Sequence, residues 1–263
     1  MKKIVLSLAS LCAIVSYASA AEVVGKLSSV KYDYMETSDS GQNLDSERTG
    51  FGKINGFDIS IRSNDYVSTK SRFFNSVDFS YHGGNTQYIG SYQGGKYGDL
   101  TTTSKNKIYE LEYKFGGAMS VTNNVTLGAN IGAGLRNWQR SLADGNVETY
   151  YWSNWILGLR SDYSPTDRLM VSATADWQKA VNPKMYSTGA GATFDLGDTG
   201  GYKLGLHTNY KLNNRLSVEG DYEYDFWKIG KSNMVNIGGS TVAWEPDSKT
   251  KNHVIKLGLA YKI

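Results

Sequence analysis

The sequence predicts an all-β protein, an antiparallel transmembrane β-barrel of ten strands with long extracellular loops and short periplasmic turns. Three observations predict it: apolar and polar residues alternate along segment after segment, short polar turns alternate with long loops, and the chain stops at the end of a strand. A period of two is the signature of a strand with two unlike faces. The 29 glycines would not be tolerated by a helical reading of the same segments. No segment beyond the N-terminal region approaches eighteen consecutive apolar residues, so a transmembrane helix is excluded. A membrane barrel hides its hydrophobicity from any average, because lipid-facing and lumen-facing residues take turns.

The first twenty residues read as a signal peptide. Lys2 and Lys3 form a basic start, Ile4 to Val15 an apolar stretch, and Ala18-Ser19-Ala20 a small-residue cleavage site. Residues 21–263 then form a single barrel domain. Loss of Lys2 and Lys3 lowers the formal charge of +3 to about +1, which gives no footprint for nucleic acid. Cys12 leaves with the leader, so neither disulfides nor thiol chemistry is expected in the domain.

Strands are expected near 23–35, 52–62, 72–82, 107–117, 124–138, 150–163, 169–180, 201–212, 216–227 and 252–263. In the fourth, Tyr109, Leu111, Tyr113 and Phe115 oppose Glu110, Glu112 and Lys114. In the fifth, Val125, Leu127, Ala129, Ile131, Ala133 and Leu135 oppose a row ending in Arg136. The seventh sets Leu169, Val171, Ala173, Ala175 and Trp177 against a row that includes Asp176. The eighth sets Leu204, Leu206 and Tyr210 against His207 and Lys211, and the ninth sets Tyr222, Tyr224 and Phe226 against Glu219, Asp221, Glu223 and Asp225. The last strand carries His253, Ile255, Leu257, Leu259, Tyr261 and Ile263 on one face, similar to the terminal signal by which outer-membrane barrels are recognised for insertion.

Tight turns are expected around Asn64, at Ser120 to Asn124, at Ser164 to Arg168 and at Leu212 to Arg215. Long loops should cover about 36–51, 83–106, 139–149, 181–200 and 228–251. With the N-terminus on the periplasmic side, ten strands place every long loop outside and every short turn inside. The alternating segment Tyr186 to Leu196 is read as an extension or hairpin above the membrane; counting it as spanning would give a twelve-strand barrel. Aromatic residues gather at two levels, with Tyr32, Tyr34, Trp155, Trp177 and Tyr222 toward the outer ends and Tyr113, Tyr163, Tyr210 and Tyr261 toward the periplasm, as expected of interfacial girdles.

The inward faces predict a lumen charge network of Glu110, Glu112, Lys114, Arg136, Arg160, Asp162, Asp176, Lys203, His207, Lys211, Glu219, Asp221, Glu223 and Asp225. Unpaired, such groups would carry a large desolvation penalty, so mutual pairing is expected. The row Glu219, Asp221, Glu223 and Asp225 has a same-face spacing of about 6.5–7 Å. It suits a cation site, a paired-carboxylate reaction, or a lumen lining opposite Lys203, Lys211 and Lys256. His82, His207 and His253 are scattered and form no zinc motif. Asp78, Ser80 and His82 share a face but at a spacing that does not supply the contacts of a Ser–His–Asp triad. No metal centre, cofactor or catalytic residue is expected on these grounds.

The chain, especially residues 107–263, resembles the ten-stranded omptin-like barrels of the outer membrane. The resemblance rests on turns such as Ser164-Pro165-Thr166-Asp167-Arg168 between alternating strands, and on the wide loop from Gly230 to Lys251 before the last strand. It implies a diderm outer-membrane location, lipid and lipopolysaccharide as surroundings, and barrel-insertion machinery during biogenesis. Omptins are surface endopeptidases that use two acidic residues on one wall and an Asp–His pair on the other. Asp78 with His82 does not match the paired acids, and His207 stands in Gly205-Leu206-His207-Thr208-Asn209 without an acid on its own strand. The resemblance therefore transfers the barrel and no catalytic residues. The function expected is a nonenzymatic monomer that binds an extracellular ligand through its loops or supports the envelope, with a small porin-like channel and a surface hydrolase as the alternatives.

Overall fold

The computed structural model describes residues 21–66, 70–91 and 95–263. The expected leader, residues 1–20, lies outside them. The described strands are β1 (Ala21–Thr37), β2 (Asn43–Tyr66), β3 (Ser71–Gly90), β4 (Leu100–Ser120), β5 (Val125–Ser141), β6 (Val147–Tyr163), β7 (Leu169–Ser187), β8 (Ala192–Asp195), β9 (Gly200–Lys211), β10 (Leu216–Ile229), β11 (Val235–Gly238), β12 (Thr241–Ala243) and β13 (Asp247–Lys262). Ten of them close a barrel. Each of β1 to β6 pairs with its sequence neighbour, β6 pairs with β7, and the wall continues through β9, β10 and β13 back to β1. The closing seam runs in register from Glu22 opposite Lys262 to Thr37 opposite Asp247. Every pairing is antiparallel, so no sheet edge is left in the wall, which hydrocarbon would not tolerate.

Below the membrane the turns are short for a local chemical reason. Thr122 Oγ1 accepts from the amides of Asn124 and Val125, Thr166 Oγ1 from Arg168 and Leu169, and Asn213 Oδ1 from Arg215 and Leu216. Each side chain replaces a backbone partner in the bend. Asn64, where a turn is expected, is still paired to Phe74, and β2 runs to Tyr66.

Above the membrane the expected long loops are largely strand. Most of 36–51 and 83–106 is taken up by the outer ends of β1, β2, β3 and β4, and 139–149 shrinks to the hairpin between β5 and β6. The segment 181–200 extends β7 to Ser187 and returns as β8, which pairs only with β7. Ten wall strands therefore stand, not twelve. The ribbon β11–β12 is a separate outer hairpin.

The middle of the wall presents a belt of apolar side chains to the outside, with Leu27, Ile131, Leu159 and Leu257 more than 60 % exposed. Roughly 9–11 tilted residues of each strand cross a bilayer, so β2 with 24 residues extends far beyond it. Past the belt the chemistry of the alternation reverses. Outward positions become polar, as at Lys31, Lys249 and Lys251, while inward positions carry Tyr32, Tyr34, Ile54, Trp138, Tyr150, Trp152, Trp227 and Ile229, which form a dry core.

Candidate functional site: a braced lumen under an aromatic core

Inside the membrane belt, the inward residues of all walls meet as ion pairs. Lys203 Nζ lies 2.8 Å from Glu112 and 3.5 Å from Glu110; Lys114 lies 3.0 Å from Glu112 and 2.6 Å from Asp176. Arg136 binds Glu110 and lies 3.3 Å from Asp225. Nearer the periplasm, Lys26 reaches Asp221 at 2.5 Å and Glu219 at 2.8 Å, Lys256 reaches Asp58 at 2.7 Å and Glu223 at 2.9 Å, and Arg62 joins Glu22 to Glu219. Asp162 receives Arg72 at 2.7 Å and Arg160 at 2.6 Å. Some pairs cross the lumen, as Lys203 of β9 does to Glu110 and Glu112 of β4 and Arg136 of β5 to Asp225 of β10, while Lys26 of β1 reaches β10 over the intervening β13. Low dielectric makes such pairs strong only when every partner is present.

This places the sequence-expected charge network plainly. All of its members line one cavity of about 420 Å³ except Asp162, which is buried beside it under Arg72 and Arg160. Lys211 stands exposed at the lower mouth rather than opposite the acidic row. The bases that meet Glu219 and Asp221 are Lys26 and Arg62, which alternation alone did not single out. The girdle residues Trp155, Tyr163, Trp177, Tyr210, Tyr222 and Tyr261 are exposed on the outside, with Tyr113 half-buried among them. Tyr32 and Tyr34, expected in the same girdle, are instead at most 1 % exposed inside the outer core. They occupy inward positions beyond the point where the faces exchange chemistry.

His82 and His207 both face inward. His82 Nε2 lies 2.9 Å from Ser28 Oγ and 3.9 Å from Asp58, while Asp78 accepts instead from Ser76 at 2.7 Å. The absence of an acid on the strand of His207 proves immaterial, because antiparallel pairing sets Asp221 of β10 directly opposite it. Nδ1 of His207 lies 3.2 Å from Asp221 Oδ1, and Nε2 lies 3.0 Å from Thr174 Oγ1.

The cavity ends upward at Arg136, whose guanidinium lies 5.9 Å from the Trp152 ring and 5.5 Å from that of Trp227. Above it the aromatic core fills the barrel. Trp138 stacks on Tyr150 at 4.5 Å and meets Tyr34 edge-on at 5.2 Å; its Nε1 donates to Asn106 at 2.7 Å. Arg140 lies at the centre of this core, 4.1 Å above the Tyr34 ring. It donates to Glu148 at 2.8 Å, Glu36 at 3.0 Å and Glu47 at 3.1 Å, and to the hydroxyls of Tyr34 and Tyr150 at 3.1 and 3.2 Å. Tyr150 donates onward to the buried Glu245.

Three carboxylates thus share one guanidinium in a region above the membrane belt, and a fourth, Glu245, joins them through Tyr150. Burial, and then the neighbouring acids Glu36 and Glu47, outweigh Arg140 and push Glu148 up to about 7; burial with Glu36 and Glu148 raises Glu245 well above the carboxylate range. Burial works against ionised Glu47 too, yet Arg140, Asn106 and Thr86 hold it below its ordinary value. One acid is fixed as the anion while two others are poised to hold protons.

No family model and no curated protein matches this chain. Among solved structures, the outer membrane protease OmpT from Escherichia coli is similar with a TM-score of 0.57 and 12 % identity, over 94 % of this chain and 98 % of that one. An outer membrane channel from Pseudomonas putida F1 gives 0.49 at 7 % identity, over 94 % and 96 % of the two chains. The translocator domain of the autotransporter NalP from Neisseria meningitidis gives 0.47 at 11 % identity, over 100 % and 95 %. At these identities the likeness to OmpT speaks for the fold alone, and the two weaker ones carry no argument. Taken with the closed wall and a belt of side chains that only lipid can cover, it makes the chain a ten-stranded antiparallel barrel of a diderm outer membrane.

Proposed function

We propose that the protein is a closed outer-membrane scaffold that works by binding at its outer end, without an open conduction path. The observation that carries this reading is the packing across the outer lumen. Tyr34, Ile54, Trp138, Tyr150 and Ile229 are fully buried there and Arg140 is 1 % exposed. A water column cannot pass a core packed like a protein interior. The same core stiffens the strands that project beyond the membrane. At their end sits an exposed apolar group on and beside the β11–β12 ribbon, Met234, Val242 and Trp244, with Lys231 Nζ 5.5 Å from the Trp244 ring. Such a cluster on a rigid stalk suits a ligand with apolar and anionic parts.

A second reading, a gated small channel, is favoured by the cavity of about 420 Å³ in the lower half of the lumen, lined by both signs of charge. Planar-bilayer recording of the refolded protein separates the two. Insertion without current at neutral pH is expected, with current after Trp138 and Tyr150 are both replaced by Ala. Reproducible steps from the unmodified protein would overturn the closed scaffold and install the channel.

A further inference from the structure

We propose that His207, Asp221 and Glu223 form a binding site for one late first-row divalent cation of the Zn²⁺ type, in the wall between β9 and β10. One donor atom from each of the three lies within 4.8 Å of the others, and all three residues line the lumen cavity. Asp221 and His207 are directly opposed across the two strands, and Glu223 is the next inward residue on β10. A nitrogen with two carboxylate oxygens is a donor set that zinc accepts readily and that magnesium and calcium, which prefer oxygen alone, do not.

The second observation is how the other atoms of these side chains are used. His207 Nε2 is 3.0 Å from Thr174 Oγ1, which orients the ring with Nδ1 toward Asp221. Asp221 commits Oδ2 to Lys26 at 2.5 Å, and Glu223 commits Oε2 to Lys256 at 2.9 Å. Asp221 is 9 % exposed, and its Oδ1, 3.2 Å from His207 Nδ1, accepts no hydrogen bond. Each residue thus has its far atom held by an outer partner, Thr174, Lys26 or Lys256, and its near atom turned toward the other two. That division orients metal ligands in general, where the outer partners set ring tautomer and carboxylate direction.

Charge points the same way. Two ion-pair clusters converge at the site: Lys26 and Arg62 face Glu22, Glu219 and Asp221, while Lys256 faces Asp58 and Glu223. In these two clusters five carboxylates meet three lysine and arginine side chains. Lys203, the next cation up the lumen, is committed to Glu110 and Glu112. The excess of two negative charges in a low-dielectric lumen is costly, and one divalent cation cancels it. Three protein donors leave a coordination position facing the cavity.

The test is titration of the refolded, untagged chain with Zn²⁺ against a chromophoric chelator, and with Co²⁺ by visible absorption. One equivalent should bind with micromolar or tighter affinity. His207→Ala and Asp221→Asn should each weaken it at least tenfold, and Thr174→Val, which keeps every ligand, should weaken it roughly tenfold or more through the lost outer partner. His253→Ala, outside on the lipid-facing wall, should leave the affinity unchanged. Folding of each variant is read from the heat-dependent shift of the barrel on gels, and Thr174→Val keeps the question open to refutation if the others fail to fold. No binding up to about 1 mM, or stoichiometric binding that survives His207→Ala or Thr174→Val unaltered, overturns the site.

Discussion

Removal of Arg140 should uncouple the outer half of the barrel from the membrane half, and should do so more severely at high pH. The guanidinium is 1 % exposed and touches three carboxylates at 2.8, 3.0 and 3.1 Å. Arg140→Met keeps most of the packing volume but leaves Glu36, Glu47 and Glu148 buried without a cation. Breaking a buried ion pair on one side costs about 3–5 kcal/mol, more than the contacts themselves are worth. The abandoned acids can escape part of that cost by taking up protons. A carboxyl whose folded value rises by two units contributes about 2.7 kcal/mol of pH-dependent stability, present at acid pH and lost as pH rises through the raised value. The destabilisation should therefore be about 3 kcal/mol or more at pH 8 and clearly smaller at pH 5. Urea unfolding of vesicle-inserted protein, followed by the buried Trp138, Trp152 and Trp227, measures it; amide exchange over 31–37 and 137–141 localises it. A cost below about 1 kcal/mol at pH 8, or an equal cost at both pH values, would show that the three acids are not held by Arg140 in the way its contacts indicate.

Other perturbations follow from the same geometry. Because Glu148 is raised to about 7 in the folded state, its contribution is complete below about pH 4.5 and is lost as pH rises through 7. Glu148→Gln should abolish that slope, worth up to about 3 kcal/mol, and stabilise the protein at pH 8; an unchanged slope in urea melts would refute the assignment. Trp138→Ala should cost about 3–5 kcal/mol through the cavity it leaves and speed proteolysis of the outer strands, while the membrane belt stays folded on gels. On the lipid face, Leu257→Arg should cost about 2–4 kcal/mol if that position lies at the bilayer midplane, whereas the same change at the exposed outer Lys251 should cost next to nothing. Gly201→Ala would drive a methyl group into the Phe226 carbonyl across the β9–β10 pair, so a lower yield of folded barrel is expected; normal folding would mean that the two strands separate more easily than their register implies.

The membrane part of this fold was legible from the chain because one rule, apolar out and polar in, holds through Leu127 to Leu135 and again through Ile255 to Tyr261. The outer part was not, because beyond the bilayer the rule inverts without breaking the period. Tyr32 and Tyr34 keep the inward phase of β1 while becoming apolar, and Lys31 keeps the outward phase while becoming polar. Read with the membrane rule, Tyr32 and Tyr34 look like girdle residues, and the strand extensions within 36–51 and 83–106 look like loops. Inward-facing charges could be read from the alternation of β4, β5, β7, β9 and β10, whereas Lys26, Asp58 and Arg62 went unmarked and Lys211 was expected opposite the acidic row. Pairing across a closed barrel depends on which walls face each other, and only closure decides that. The same limit hid the company of His207: its acid lies fourteen positions later, one strand over, and enters range through the register of β9 with β10.

The ion pairs inside the barrel have a consequence for how it is made. Glu36 on β1, Glu47 on β2, Arg140 on β5 and Glu148 on β6 can meet only after the wall has curled far enough to bring distant strands together. Lys26 on β1 and Asp221 on β10 are separated by 195 positions and meet only across the final seam. A seam joined two residues out of step would still satisfy its backbone, since the period of the strand is two. It would, however, misalign Lys26 and Arg62 with Glu219 and Asp221 and strand several charges in a low-dielectric interior. The lumen therefore acts as a checksum on closure, rejecting a slipped seam that the backbone alone would accept.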